Sequence, residues 1–459
     1  MFLTRTAAAR SVDEARERST MGNKRSSAEQ QVAELLRTAK DALGLSVAFL
    51  TRMDGTTQHL EVVDSSIPFV FREGAKLPQE TTFCQAILDG RLPAVIGDVR
   101  EHPVAMALPA ARFPRLRSYV SVPVRLTDGS LYGTFCATGL TTDRGLTKRD
   151  KALMEVLASA AAVIIEPGVV EQARREEIVA RLLPVLAAGG PTVLLQPIVE
   201  LATGRRIGSE ALSRFPADWD KAPDVVFAEA HSVGLGDQLE LLALERAADH
   251  LAVVTGYIAM NVSPQTLLTP ACAELLDRLP LTRVLLELSE HDQVEDYDAL
   301  HAVLARPRAA GMRLAIDDVG AGFSSLRHIV LCAPDVLKLD RSIIDGISSD
   351  AVLATLVTAL VEFAHGNGSR VVAEGIETAA DGDVLRDIGV DYAQGWFFGR
   401  PGPPEALVDA EEPAVAPRPI GALLDGARLL ADVPHAVGPA GAPDAVRGAS
   451  RAAGATGPV

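Results

Sequence analysis

Eight short β-type runs, most separated by helix-patterned stretches, fill the chain from Pro191 to about residue 400. They read LLQPIVEL, RIGSEALSRF, YIAMNVS, VLLELSE, RLAIDDVG, VLKLD, RVVAEGIE and YAQGWFFG. Short apolar runs alternating with helical patterns mark strands joined by helical crossovers. Eight of them in about 210 residues fit a closed barrel. The fold class expected for residues 191–408 is therefore α/β, a TIM-like β/α barrel.

From the second run to the eighth, each apolar stretch ends in a residue that can bind metal or move protons. These are Glu210, Asn261, Glu287, the pair Asp317-Asp318, Lys338, Glu374 and Gln394. Any one of them alone reads as a turn residue or a solvated strand end. In a β/α barrel the C-terminal strand ends share one mouth, so the seven positions should converge. Asp317 beside Asp318 poses the question most sharply, because like charges at contact repel, and a dry setting makes this worse. The pair is either a turn, for which Asp and Gly are ordinary residues, or a cation site, where a divalent metal reverses the sign of the repulsion. A mouth lined by Glu, Asn, Glu, Asp, Asp and Glu repels itself without cations, which favours the second reading. Oxygen ligands of this kind suit Mg²⁺ or Mn²⁺ rather than zinc or copper. Where the pleat relaxes at a strand end, Asp317 can face one ion and Asp318 a second. Two ions about 3.5–4 Å apart are the usual arrangement for hydrolysing phosphate esters.

The net charge is −16 and the sequence pI about 5.1, which argues against a basic surface for a nucleic-acid polymer. A small phosphate ligand held through metal ions is compatible with both. Cys84, Cys136, Cys272 and Cys332 are far apart in sequence and form no CxxC pair. They give neither a zinc pattern nor a disulfide framework, so a cytoplasmic location is expected. No stretch reaches about 18 uninterrupted apolar residues, and Val156 to Ile165 is too short to span a bilayer. Arg5 interrupts the start before a signal core develops, so no membrane insertion is expected.

Residues 1–26 read as a flexible leader. Ser27 to Leu43 has helical spacing, and hairpins are expected at Asp54-Gly55 and Asp128-Gly129. Thr147 to Asp150 resembles a capping box with Asp in place of Glu, opening a helix that Pro167-Gly168 should stop. A helix, an antiparallel sheet and a helix thus form an α+β unit over residues 27–167. A separate linker helix is expected over 168–190. Residues 409–459, rich in Ala, Pro and Gly, read as a disordered tail, with one weak helix within IGALLDGARLLADV.

The barrel motifs carry a family resemblance. QPIV, EALSR, NVSP, LELSE, DDVGAGFSSL, KLD, AEGIET and QGWFFGRP occur in that order between Gln196 and Pro401. Together they resemble the EAL-domain cyclic-di-GMP phosphodiesterases, over roughly residues 190–408. The resemblance implies an EAL-type barrel and two ions, Mg²⁺ or Mn²⁺. Glu210, Asn261, Glu287 and Asp317 would be metal ligands, with Asp317 bridging and Asp318 completing the second site. Lys338 would hold the attacking water or a phosphate oxygen, Glu374 would be a ligand or general base, and Gln394 would support the bound solvent. Arg214 would contact phosphate. Gln196, Leu212, Asp340 and Pro401 would border the nucleotide, and Glu290 would steady the loop Val319 to Ser325. The chain departs from the family at Val319, Phe323 and Ser289, where Phe, Tyr and Thr are usual. None of these is a ligand.

The first unit resembles GAF sensor domains, through its architecture, VIGDVREHP, and VSVPVRLTDGSLYGTFCA. Its ligand is not readable. Cys84 lacks the adjacent His often seen with attached bilins and reads as a structural thiol; His59 and His102 read as surface histidines rather than haem ligands. The resemblance implies hydrolysis of cyclic-di-GMP to pGpG, regulated by a signal at the GAF domain. The alternative is a catalytically weak EAL domain that only binds the dinucleotide; degenerate members should lose metal ligands, and none is missing here. A third possibility makes the GAF domain the main functional part and the barrel a scaffold. Apolar residues on the helix beginning near Leu153 need a partner surface, which points to a homodimer; covering its own sheet is the simpler alternative.

Overall fold

The computed structural model describes residues 26–67, 71–112, 115–292, 294–321 and 326–407. The leader up to residue 25, most of the loop Val319 to Ser325, and the tail with its expected weak helix lie outside the described residues. The chain divides into two compact units, Met1–Ala187 with Ala228–Leu235, and Ala188–Phe227 with Gly236–Val459.

The first unit is built on a six-stranded antiparallel sheet in the order β3-β2-β1-β6-β5-β4. The strands are β1 (Val47–Met53), β2 (Thr57–Ser65), β3 (Lys76–Pro78), β4 (Val95–Ile96), β5 (Ser118–Arg125) and β6 (Leu131–Gly139). Both expected hairpins form. The Asp54 carboxylate accepts the Thr56 and Thr57 N–H groups, and that of Asp128 accepts the Ser130 N–H. Helices α1 (Ser27–Leu43) and α3 (Lys148–Ala187) pack on one side of the sheet, and α2 (Phe83–Leu88) belongs to the core on the other side. The start of α3 is capped as expected: Asp150 accepts the Thr147 N–H at 2.7 Å, and Thr147 Oγ1 accepts the Arg149 N–H.

The expected break at Pro167-Gly168 does not occur, and there is no separate linker helix. One helix of 40 residues runs from Lys148 to Ala187, through both Pro167 and Pro184. Pro167 removes one hydrogen bond, to the carbonyl of Val163, but Val163 is 67% exposed and water can take that carbonyl. Buried residues on both sides of the proline, Met154 to Ala162 and Ile178 to Val185, anchor the flanking turns. By length and composition this helix could also cross a membrane. Met154, Ala158, Ala161 and Ala162, however, belong to the sheet-packing core of its own unit.

The second unit is a closed eight-stranded barrel. All eight expected runs are strands: β7 (Thr192–Glu200), β8 (Arg206–Arg214), β9 (Tyr257–Asn261), β10 (Val284–Ser289), β11 (Arg313–Val319), β12 (Val336–Leu339), β13 (Arg370–Ala373) and β14 (Tyr392–Ala393). The barrel is not wholly parallel, because β7 runs antiparallel to both β8 and β14. Only a short turn over residues 201–205 joins β7 to β8, in which Glu200 O accepts the Thr203 and Gly204 N–H groups. That is a hairpin connection, too short for a crossover helix.

Inward-facing side chains form stacked layers. Ile198, Ala259, Leu285, Ala315, Val336 and Val372, with Tyr257, make one buried apolar layer. Side chains two residues apart share a face of a strand. Two positions beyond Ala259, Leu285, Ala315, Val336, Val372 and Tyr392 lie Asn261, Glu287, Asp317, Lys338, Glu374 and Gln394. On the reversed strand, Gln196 stands two positions before Ile198. The polar residues thus form the layer above the apolar one. Glu210, Glu287 and Lys338 sit within their strands, not at the strand ends where the sequence suggested them.

The exposed carbonyl explanation for Pro167 predicts that the residue is tolerated rather than needed. Pro167→Ala is expected to stabilise the first unit by up to about 3 kcal/mol, read as a higher melting temperature. Thermal unfolding by circular dichroism measures it.

Candidate metal centre

Lys338 is fully buried and stands at the centre of the polar layer. Its Nζ lies 2.8 Å from Glu374 Oε1, 2.9 Å from Glu287 Oε1, 3.0 Å from Asp317 Oδ2 and 3.5 Å from Glu210 Oε1. Burial alone would discharge this amine, yet Asp317, Glu210, Glu287 and Glu374 together hold its pKa well above the usual lysine range. One ammonium does not balance four carboxylates. Burial pushes Glu287 well up; Lys338 opposes that, and repulsion from Asp317, Glu210 and Glu374 adds to it. Glu374 is likewise pushed well up, by burial first and then by Asp317.

Asp317 and Asp318 reach the same mouth through a defect in the ladder. Ile316 pairs with Leu337 and Val319 with Leu339, so Asp317 and Asp318 together oppose Lys338 alone. This is a β-bulge, and Asp318 takes the left-handed conformation at φ 61°. Bulges re-aim side chains beside active sites, and Asp is one of the few residues that tolerates this conformation. The relaxed pleat expected at the strand end is in fact this bulge. Burial, then Asp317, pushes the Asp318 carboxyl up to about 6, against the pull of Lys338.

The carboxylates form two overlapping triads. Oxygens of Glu210, Glu287 and Asp317 lie within 4.8 Å of one another, as do those of Asp317, Asp318 and Glu374. Asp317 is common to both. Glu287 Oε1 meets only the Lys338 ammonium, at 2.9 Å, and its buried Oε2 accepts no hydrogen bond. A buried carboxylate oxygen without a donor, in an all-oxygen set, fits the demands of Mg²⁺ or Mn²⁺. Asn261 adjoins the first triad, its Nδ2 3.4 Å from Glu210 Oε1. Gln394 donates to both Gln196 and Glu210, and Gln196 donates to the Gly399 carbonyl, so two amides orient Glu210.

Two cavities of about 380 and 330 Å³ open onto the centre and share Leu212 and Asp318. The first also carries Arg214, Asn261 and Glu287; the second carries Gln196, Glu210, Asp317, Glu374 and Gln394. Glu290 accepts the Gly320 N–H at 3.3 Å, at the start of the loop it is expected to steady. Two predicted residues are not brought in. Asp340 caps a short helix by accepting the Ser342 N–H, and neither it nor Pro401 lines either cavity. Sequence reasoning assigned no role to Trp396, Arg341 or Glu377, which line the second cavity. The 52% exposure of Trp396, beneath the Arg400 guanidinium, marks it as more than core, and its place inside QGWFFGRP was the available signal. Glu240 was also missed; it lines the first cavity and accepts the backbone N–H and hydroxyl of Ser263, just beyond Asn261. Gly395 is obligatory, since a Cβ there would stand 2.2 Å from the Ile376 carbonyl oxygen.

Residues 179–401 match the family model of the EAL domain. The chain carries an EAL domain. Residues 26–166 match the GAF domain, as the first unit's sheet and helices suggested. The chain is similar to the probable cyclic di-GMP phosphodiesterase PdeB of Escherichia coli, 31% identical over 224 residues, covering 46% of this chain and 42% of that protein. It is also 31% identical over 230 residues to the bifunctional diguanylate cyclase/cyclic di-GMP phosphodiesterase MucR of Pseudomonas aeruginosa, covering 46% and 33%. The chain thus spans less than half the length of either relative. Among solved structures, the PaMucR phosphodiesterase complex with c-di-GMP is 29% identical, covers 50% of this chain and 99% of its own, and has a TM-score of 0.45.

The charge imbalance of the EAL domain centre gives two opposed expectations for the metal-free protein. Lys338→Met should destabilise it by about 3–5 kcal/mol, because buried carboxylates lose their counter-ion. Glu287→Gln should stabilise it, because a neutral isostere removes repulsion. The Glu287 pKa is raised above its ordinary 4.5, so its wild-type cost is absent below that pH and grows as pH rises. The gain from Glu287→Gln should therefore be larger near about pH 8 than near about pH 5. Thermal unfolding in EDTA across pH measures both.

Proposed function

We propose that the EAL domain is a two-metal phosphodiesterase that opens cyclic-di-GMP to pGpG. The observation that carries this is the pair of carboxylate triads sharing Asp317 around Lys338. Glu210, Asn261, Glu287 and Asp317 would hold one cation, and Asp317, Asp318 and Glu374 the other. Divalent cations held there supply charge neutralisation at the phosphoryl group and a more acidic water.

The chain's own groups do the rest. Lys338 Nζ holds the attacking water or a phosphoryl oxygen, and Glu374, 2.8 Å away, accepts the water's proton. Attack on phosphorus in line expels the 3′ oxygen and opens the ring. Gln394 and Gln196 keep Glu210 oriented. Arg214 meets the second phosphate from the first cavity, and Leu212, between the cavities, borders the nucleotide. Asp340 acts indirectly, through the helix that it caps beside the second cavity.

The proposal extends to regulation by a GAF ligand and to a cytoplasmic homodimer. Val156, Val163 and Val170 on α3 are 59–67% exposed and recur every seven residues, which is the spacing of a helix–helix seam. Sedimentation of the full chain should give a dimer, and Val163→Glu should make it a monomer.

Purified protein incubated with cyclic-di-GMP and Mg²⁺ or Mn²⁺, with products separated chromatographically, tests the central reading. Formation of pGpG is expected, and its loss in EDTA. Tight binding without turnover would identify a binding module instead. Glu210→Ala should lower turnover by roughly 100-fold or more with an unchanged circular dichroism spectrum, because Glu210 belongs to the polar layer and not the apolar one. Ca²⁺ should inhibit, since its longer bonds and higher coordination misplace the reacting groups.

A further inference from the structure

Away from the metal centre, the GAF domain brings two cysteines together that lie far apart in sequence. Cys84 on α2 and Cys136 on β6 have sulfurs 3.4 Å apart, at 1% and 0% exposure. The sequence offered neither a CxxC pair nor a disulfide framework, and the fold supplies the pairing.

The surroundings are more polar than a hydrophobic core requires. Tyr119 Oη lies 3.1 Å from the Cys84 sulfur, and Ser121 Oγ and Thr134 Oγ1 each lie 3.2 Å from that of Cys136. Thr134 is held in turn by Thr51, hydroxyl to hydroxyl at 2.8 Å. Gln58, 2% exposed, leaves its Oε1 without a hydrogen-bond partner. Inert core thiols pack among apolar groups, whereas this pair sits among hydroxyls that can donate to a thiolate. The two thiols are also unequal. Burial raises both, but donors from Cys136, Thr134, Tyr119 and Gln58 outweigh it at Cys84 and bring that thiol below its ordinary range. Burial and the neighbouring Cys84 hold Cys136 well above it. The sulfurs already stand close enough for a bond to form between them, and the Tyr119 hydroxyl at 3.1 Å can donate to a thiolate at Cys84.

We propose that Cys84 and Cys136 form a reversible peroxide-sensing dithiol within the GAF domain. The Cys84 thiolate attacks one oxygen of hydrogen peroxide, the O–O bond breaks, and the hydroxide that leaves takes up a proton as water. Cys84 becomes a sulfenic acid. The Cys136 sulfur then attacks the Cys84 sulfur, the S–O bond breaks, and a second water leaves. In sum, two thiols and one peroxide give one disulfide and two waters; the thiols lose two electrons and the peroxide gains them. Both sulfurs are closed off from solvent, so peroxide, scarcely larger than water, would reach them through local opening of α2, a helix of six residues. The disulfide would tie α2 to the middle of the sheet, and a dithiol reductant would undo it.

Treating the folded full-length protein with hydrogen peroxide, then counting thiols and mapping peptides without reduction, tests this. Two of the four cysteines should disappear together as one Cys84–Cys136 cross-linked peptide, and dithiothreitol should restore them, while Cys272 and Cys332 stay reduced. Cys136→Ser should block the cross-link and leave Cys84 as a trappable sulfenic acid. Cys84→Ser should protect Cys136 from oxidation. Circular dichroism, and the same assays on Cys84→Ala and Cys136→Ala, separate loss of chemistry from loss of fold. A cross-link that forms only in urea, or oxidation of single cysteines at equal rates with no cross-link, would overturn the proposal.

Discussion

A single buried ammonium decides what this barrel can be. Four carboxylates converge within 3.5 Å of Lys338 Nζ, in a layer that is largely buried. Without a cation at its centre, that layer would have to protonate or open, because buried like charges repel strongly at low dielectric. Lys338 supplies one positive charge and leaves the set undersatisfied. The upward displacement of Glu287 and Glu374 measures the remainder. The centre is stable enough to fold and acidic enough to want divalent cations, and both properties follow from four carboxylates set against one amine.

The barrel positions this imbalance with little local design. Side chains repeat every two residues on a strand, so one closed apolar layer dictates where the next inward layer falls on every strand. Two deviations then shape the site. Reversing β7 brings Gln196 in from the opposite direction, so that on the β7 side a neutral amide, not a further carboxylate, stands beside Glu210. The bulge at Asp317 and Asp318 adds one residue to the layer and makes Asp317 common to two triads. A regular ladder would have turned Asp318 to the opposite face of the strand, leaving one triad.

Most of the fold was legible in the sequence because period-two patterns and turn residues are local signals. The eight strands, both hairpins and the cap at Thr147 follow from such patterns, and the metal-centre residues follow from where apolar runs give way to carboxylates. What was not legible depends on partners distant in sequence. Glu210, Glu287 and Lys338 looked like strand ends because strand length is set by pairing. Pro167 looked like a stop because the burial anchoring α3 on either side of it is tertiary. The reversal of β7 could be suspected only from the few residues between Glu200 and Arg206. Asp340 resembled a binding residue, but a helix start claimed its carboxylate. The meeting of Cys84 and Cys136 had no local signal at all.

The charge of the whole chain bears on how such a centre would be used. A dinucleotide with two phosphates would approach a protein of net charge −16, and its scissile phosphate would have to enter a layer of carboxylates. The cationic groups nearby are few: Arg214 lines one cavity, and Arg341, already paired with Glu377 at 2.9 Å, lines the other. Lys338 already faces four carboxylates, so its charge does not by itself draw in a phosphate. Cations at the triads would therefore be needed for binding as well as for chemistry, since they alone reverse the potential at the mouth. Affinity and turnover in such a site should depend on the same cations, which distinguishes it from a barrel that holds a dinucleotide through arginines alone.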